Sequence, residues 1–384
     1  MHDSFEVNGN KLALLQNGTE YFPQLCADID AAKSFIYLES YIFAADKTGG
    51  MVSRALQQAA RRGLVVCVLL DGFGSDNLPQ SWLDELINAG VQVHIFRREI
   101  YRFKLRRHRL RRLHRKLVAL DGQVAFVGGI NIIDDLAKND HGSSPRFDFA
   151  VRIEGSVAGE IHFIMRHLWG SVSRAHGLHR ERFSGQKIET TPHIDLLLRD
   201  NLRHRRDIER AYLIALGRAH SEVLIASAYF LPGRIFRRTL IQAARRGVRV
   251  VLLLQGRVEH RLLHYATHAL YLQLLEAGIE IYEYRASFLH AKVAVVDGMW
   301  STVGSSNIDP FSLLLAREAN LVVTDAGFAT ALREKLYAAI KQDAQRINLM
   351  HWKQLSWGAR RVTQLSYALI RLIIGILGYG KHRS

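Results

Sequence analysis

His114-Arg115-Lys116-Leu117-Val118-Ala119-Leu120-Asp121-Gly122-Gln123-Val124-Ala125-Phe126-Val127-Gly128-Gly129-Ile130-Asn131 has a second copy in the same chain, His290-Ala291-Lys292-Val293-Ala294-Val295-Val296-Asp297-Gly298-Met299-Trp300-Ser301-Thr302-Val303-Gly304-Ser305-Ser306-Asn307. Both read H-x-K, four residues, D, six residues, G-[GS]-x-N. In each, two apolar runs flank Asp-Gly. That dipeptide favours a tight hairpin, because its two residues tolerate positive φ. A two-residue turn would set Leu120 opposite Gln123, Lys116 opposite Val127, His114 opposite Gly129 and His290 opposite Ser305. Side chains alternate along a strand and cross-strand partners share a face, so His, Lys and Asn converge at the open end of each hairpin.

These residue types suit phosphoryl chemistry. One imidazole can attack phosphorus while the other protonates the leaving oxygen and later deprotonates the incoming alcohol or water. Lys116 and Lys292 place positive charge where phosphoryl oxygens gain negative charge. Asn131, Asn307 and Ser305 are candidate phosphate donors. Asp121 and Asp297 lie seven residues from their histidines, roughly 20 Å along an extended strand, and read as turn-shaping groups. Asp148 and Glu318 are the better candidates to orient the histidines, since a carboxylate on one ring nitrogen fixes the tautomer and raises the basicity of the other. No Cys/His zinc spacing and no Asp-rich cluster stands out, so the expectation is chemistry without metal or cofactor.

Working outward, the duplication continues. Ala59-Ala60-Arg61-Arg62-Gly63 recurs as Ala243-Ala244-Arg245-Arg246-Gly247, and Leu69-Leu70-Asp71-Gly72 as Leu253-Leu254-Gln255-Gly256. Ala89-Gly90-Val91 recurs as Ala277-Gly278-Ile279, and Tyr41-Ile42-Phe43 is matched with Tyr229-Phe230-Leu231. Each half reads strand, helix, strand, helix, strand, hairpin. The fold class expected is α/β, with two homologous α-β-α sandwich domains in tandem related by a pseudo-two-fold axis and sharing one site. The 384 residues suit two domains. The expected parts are 1–189, 190–350 and a basic, apolar tail over 351–384.

The halves differ by an insertion over 97–112. From Arg97 to Lys116 there are eleven Lys/Arg against one acid, Glu99, which supplies +10 of the net +16. Apolar residues such as Tyr101, Phe103 and Leu105 interrupt the charges, a pattern better suited to an anionic membrane surface than to a duplex. The stretch 365–379, LSYALIRLIIGILGY, is too short for a span of about 20 residues and reads as a helix lying in a lipid interface. The beginning, MHDSFEVNGN, has no apolar run, and only Cys26 and Cys67 are present. A peripheral protein on the cytoplasmic face of the cell membrane is the expectation.

The twin motifs resemble the HKD motifs of the phospholipase D superfamily, and the resemblance runs through nearly the whole chain, including Leu14-Leu15-Gln16-Asn17-Gly18 and Leu38-Glu39-Ser40-Tyr41. Within it, the chain is most similar to the bacterial cardiolipin synthases of the B type. That resemblance implies the phospholipase D fold and transphosphatidylation, in which two phosphatidylglycerols yield cardiolipin and glycerol. It also implies that His114 attacks, that His290 is the acid and base, and that Asp121 and Asp297 count as catalytic. Gly129 departs from the serine common in the family, which implies a weaker phosphate contact. The alternatives are a phospholipase D-type hydrolase, which shares the intermediate, and an HKD nuclease. A nucleic-acid partner is not expected, since a nuclease has no use for an apolar terminal helix.

Overall fold

The run Val65–Asp71 is apolar at six consecutive positions, as a strand covered on both faces requires. In the computed structural model, which describes residues 3–97, 112–135, 145–175, 193–200, 204–309, 316–354 and 356–378, this strand sits near one edge of an eight-stranded sheet. Val66, Val68 and Leu70 pack into a core with α1 (Asn17–Ala31), α2 (Lys47–Arg61) and α3 (Gln80–Asn88). Cys67 and Leu69 face the other way, against Leu168 and Trp169 of α4 (Ser156–Ala175). The period of two thus places helices on both faces.

The first sheet is formed by β1 (Ser4–Val7), β2 (Asn10–Gln16), β3 (Phe35–Ser40), β4 (Val65–Asp71), β5 (Gln92–Phe96), β6 (Lys116–Leu120), β7 (Val124–Gly128) and β8 (Phe149–Glu154). Its order is β1-β2-β8-β7-β6-β3-β4-β5, with β3, β4 and β5 parallel and the other pairings antiparallel. The second sheet repeats the plan with β9 (Ile194–Arg199), β10 (Glu222–Ser227), β11 (Arg249–Gln255), β12 (Glu280–Tyr284), β13 (Lys292–Val296), β14 (Trp300–Gly304), β15 (Glu318–Thr324) and β16 (Ala344–Arg346). Its order is β16-β12-β11-β10-β13-β14-β15-β9. Its helices are α5 (Asp207–Arg218), α6 (Arg234–Arg245), α7 (Arg261–Glu276), α8 (Ala326–Asp343), α9 (Leu349–Lys353) and α10 (Trp357–Gly378). Two related mixed α/β sheets are the architecture expected from the repeat.

The chain forms two compact units. The first is 1–197 with 303–305 and 317–323; the second is 198–302 with 306–316 and 324–384. Ser305 and Glu318, which belong to the second copy in sequence, therefore share a unit with His114. Most of the basic insertion over 97–112 lies outside the described residues.

Two details of register differ from the sequence reading. The turn residues Asp121 and Asp297 both take φ of 52°, with Gly122 at 65° and Gly298 at 63°. The connection in the first copy is nevertheless three residues long, so Leu120 pairs with Val124 and Lys116 with Gly128, each partner one residue later than a two-residue turn gives. At this turn the Asp121 N–H donates to the Phe35 carbonyl (3.0 Å) and its carboxylate accepts from the start of β3. The second correction concerns the repeat itself. Phe43 bridges to Ile132 and Phe230 to Ile308, so Phe43 corresponds to Phe230, and Tyr41 to Ala228. The shared Tyr-x-x spelling misaligned these segments by one position. Ser40 Oγ donating to Ile42 O (2.7 Å) and Ser227 Oγ to Tyr229 O (2.9 Å) mark the true correspondence.

Candidate active site

His114 precedes β6, and its N–H donates to the Arg317 carbonyl (2.9 Å). Its Nδ1 lies 3.1 Å from both oxygens of Glu318, a carboxylate with no exposed surface at the start of β15. A carboxylate there accepts only from a protonated Nδ1, so Nε2 carries the lone pair that can attack phosphorus. Ser305 Oγ donates to Glu318 Oε2 (2.6 Å) and accepts from the Ala319 N–H (3.0 Å). The hydroxyl of Ser305 is thus directed at the carboxylate that holds His114. Asp148 is buried, and its Oδ1 accepts from the Phe149 N–H (2.8 Å). A Cβ on Gly129 would lie 2.4 Å and 2.6 Å from the two Asp148 oxygens. The glycine is what lets this carboxylate close in; the second copy uses a serine that hydrogen-bonds to its carboxylate instead.

Lys116 and Lys292 are buried, and each Nζ donates to its own motif histidine's carbonyl, His114 O at 2.6 Å and His290 O. Lys116 Nζ also lies 5.4 Å from the centre of the Tyr41 ring, which is 4.6 Å from the His114 ring. Tyr41 is pinned from behind. Ser75 Oγ donates to its carbonyl (2.9 Å), and Gly74 approaches so closely that a Cβ would lie 2.3 Å from that oxygen. Asn131 Oδ1 accepts from the Ile42 N–H (3.3 Å), while Asn307 Oδ1 is buried without a hydrogen-bond partner. Among the described residues, no group of three or more His, Cys, Asp or Glu side chains is placed to hold a metal ion.

The motif aspartates lie at the hairpin turns and bind backbone N–H groups. Asp121 accepts from the N–H groups of Lys33 (2.7 Å), Ser34 (2.8 Å) and Phe35 (2.9 Å). Asp297 does the same for His220, Ser221 and Glu222, at 2.8, 2.8 and 2.9 Å. Burial pushes each carboxyl up, but the backbone donors outweigh it and hold both below the usual range. Both therefore clamp the start of the neighbouring strand, at the far end of the hairpin from the histidine.

Three devices were missed in the sequence. Asp71, fully buried, accepts from the N–H groups of Phe73 (2.9 Å), Gly74 (3.1 Å) and Leu113 (2.7 Å), and so fixes the residue before His114. Gln255 repeats this for Leu289, before His290, at 3.1 Å. The Leu-Leu-[Asp/Gln]-Gly recurrence carried that signal. Arg115 forms a buried ion pair with Glu39, with Nη2 to Oε1 at 2.8 Å. The corresponding positions in the second copy are Ala291 and Ala226, both fully buried. The third device is the Tyr41 ring, whose place is taken by Ala228.

A family model described as "Cardiolipin synthase, PLD-like domain" matches residues 25–141 and 212–340, which contain both H-x-K copies. The chain belongs to that family. Cardiolipin synthase B of Escherichia coli (strain K12) is 37% identical over 373 residues, covering 97% of this chain and 90% of that protein. A cardiolipin synthase of Geobacillus kaustophilus is 31% identical over 371 residues, covering 96% and 72%. The phosphatidylserine synthase structure from Haemophilus influenzae superposes with a TM-score of 0.70 at 16% identity, over 95% of this chain and 94% of that one, which establishes the shared fold.

Proposed function

We propose that this chain is a phosphatidyltransferase that joins two phosphatidylglycerols into cardiolipin and releases glycerol. The observation that carries the reading is the His114 imidazole held at Nδ1 by a buried carboxylate, which leaves Nε2 as nucleophile. His114 attacks the phosphorus of one phosphatidylglycerol, and the bond to the glycerol oxygen breaks as that oxygen takes a proton from His290. The head-group hydroxyl of the second phosphatidylglycerol then gives its proton to His290 and attacks phosphorus, and the P–N bond breaks. Lys116 and Lys292 hold the positive potential that the phosphoryl oxygens gain charge against. Asn131 and Asn307 border the phosphate in this scheme. Asp148 and Glu318 are orienting groups, and Asp121 and Asp297 hold the scaffold.

The protein works at an anionic lipid surface, peripherally and on the cytoplasmic face, through the 351–384 tail of a chain parsed as 1–189, 190–350 and that tail. Support comes from α10. Its face away from α7 exposes Val362, Leu365, Leu369 and Leu372 at helical spacing, with Leu365 67% exposed, and Arg361 and Arg371 border it. Trp357 is 74% exposed at its start, with the Arg361 guanidinium over the ring. Among the described residues, no helix is long and apolar enough to cross a membrane. The test is to incubate purified protein with phosphatidylglycerol vesicles and separate the lipids. Cardiolipin with stoichiometric glycerol supports the reading; phosphatidic acid alone makes the protein a hydrolase; no lipid product, with cleavage of nucleic acid, makes it a nuclease.

A further inference from the structure

The second unit contains a cleft that the transfer scheme leaves unused. It is a part-open cleft, with about 360 Å³ of space that includes open solvent, and is lined in part by Tyr229, Gln255, Glu259, His260, His264 and His268. The three histidines recur every four residues, His260 at the cap of α7 and His264 and His268 on one face of the helix. The His264 and His268 ring centres are 4.0 Å apart. Behind them, buried Glu283 is hydrogen-bonded by His268 Nε2 (3.0 Å), by the Tyr271 hydroxyl (3.2 Å) and by Arg285 (2.9 Å). Trp352 closes the back, its ring centre 5.2 Å from that of His268 and 4.9 Å from that of Tyr271. The first copy has no such row: its α3 is 9 residues long against 16 for α7, and contains no histidine.

The lining is rich in hydrogen-bonding groups. Burial, aided by neighbouring His268, lowers the His264 pKa to about 4, so this imidazole is neutral near pH 7 and offers one donor and one acceptor. The Arg257 guanidinium is engaged by the carbonyls of Arg285 (2.8 Å) and Ala286 (2.6 Å). At the rim, Glu259 accepts from the Tyr229 hydroxyl (2.5 Å) and adds a negative charge that disfavours a phosphate. Side-chain donors and acceptors beside a rim carboxylate suit vicinal hydroxyls. The cleft also borders the second motif, because the Gln255 side chain that lines it holds the N–H of Leu289, next to His290.

We propose that this cleft binds the glycerol moiety of the phosphatidylglycerol acceptor, so that its terminal hydroxyl is presented to His290. The inference rests on the transferase reading and names its acceptor subsite. In the transfer step the hydroxyl oxygen forms the new P–O bond, its proton passes to His290, and the P–N bond to His114 breaks. Glycerol itself is then a competent acceptor, regenerating phosphatidylglycerol.

The test follows exchange of labelled glycerol into phosphatidylglycerol vesicles, with phosphatidic acid counted in the same samples. His264→Phe fills the cleft, and His264→Gln keeps a donor and an acceptor. The expected result for His264→Phe is a glycerol KM raised at least tenfold and a ratio of exchange to hydrolysis lowered about tenfold, with His264→Gln within threefold of the parent. A parallel fall of exchange and hydrolysis, or an unchanged glycerol KM, would overturn the proposal. Binding is read without turnover by acylating histidines with diethyl pyrocarbonate and mapping them by mass spectrometry. Glycerol at 1 M should slow modification of His260 and His264 relative to 1 M 1-propanol, and equal rates would also overturn it. If no lipid product forms with the parent protein, the transferase reading fails, while the protection experiment still reports on the cleft.

Discussion

Glu318→Gln removes one negative charge from a site with no solvent exposure and leaves the side-chain shape intact. Attack by Nε2 turns His114 into a phosphorylated imidazolium, whose positive ring sits 3.1 Å from the carboxylate. At that separation and an effective dielectric of about 20, a unit charge pair is worth about 5 kcal/mol. With about 1.4 kcal/mol per tenfold in rate, the loss is roughly 10³- to 10⁴-fold in kcat. The amide oxygen can still accept from Nδ1–H, so the lower end is the expectation. Substrate binding is untouched by this charge, so KM for phosphatidylglycerol should move less than threefold. The assay is initial-rate conversion of labelled phosphatidylglycerol in vesicles, with rapid-quench trapping of the phosphohistidine. Intermediate formation should slow in step with turnover. A loss of less than tenfold, or a loss confined to KM, would refute the orienting role.

Ser305→Ala removes a single hydrogen bond onto the same carboxylate and should lower kcat by roughly 3- to 10-fold, from about 0.5–1.5 kcal/mol; a loss as large as that of Glu318→Gln would mean Ser305 touches phosphate. Glu39→Ala leaves Arg115 buried without its partner and should cost about 3–5 kcal/mol, whereas adding Arg115→Ala should recover part of it, as the Ala226/Ala291 pair in the second copy implies; additive losses in thermal denaturation would contradict this. Asp121 and Asp297 have depressed folded-state pKa values, so their contribution is present above the ordinary carboxylate pKa and is lost as pH falls through the folded value. Below about pH 4 the parent should therefore lose melting temperature that Asp121→Asn/Asp297→Asn has already lost at neutral pH; equal acid sensitivity in both proteins would remove the clamp role. Leu365→Asp with Leu369→Asp should weaken sedimentation with anionic vesicles by at least about 100-fold, given about 1.5–3 kcal/mol per buried leucine; unchanged sedimentation would exclude α10 as the contact.

Much of the fold was legible because its signals are local. Continuous apolar runs such as Val65–Asp71 announce strands covered on both faces, and Asp-Gly between two such runs announces a turn. The repeat made each half a check on the other. The failures are local as well. The extra residue sits in a turn whose aspartate bonds to β3, which lies far away in sequence. The one-residue slip at Tyr41 came from matching letters where the serine hydrogen bonds set the register. Arg115 passed as the variable position of H-x-K because nothing near it in sequence announces Glu39.

The chain alone determined that there are two related α/β halves and which imidazoles, ammonium groups and amides the chemistry draws on, because side-chain periodicity and spacing are properties of a single segment. Only the folded molecule decided that Glu318, 204 residues away, holds His114, that Ser305 serves that carboxylate, and that Asp121 clamps backbone. Periodicity fixes the face on which a side chain lies. Its partner depends on which strand ends are brought together, and that follows from the packing of the whole sheet.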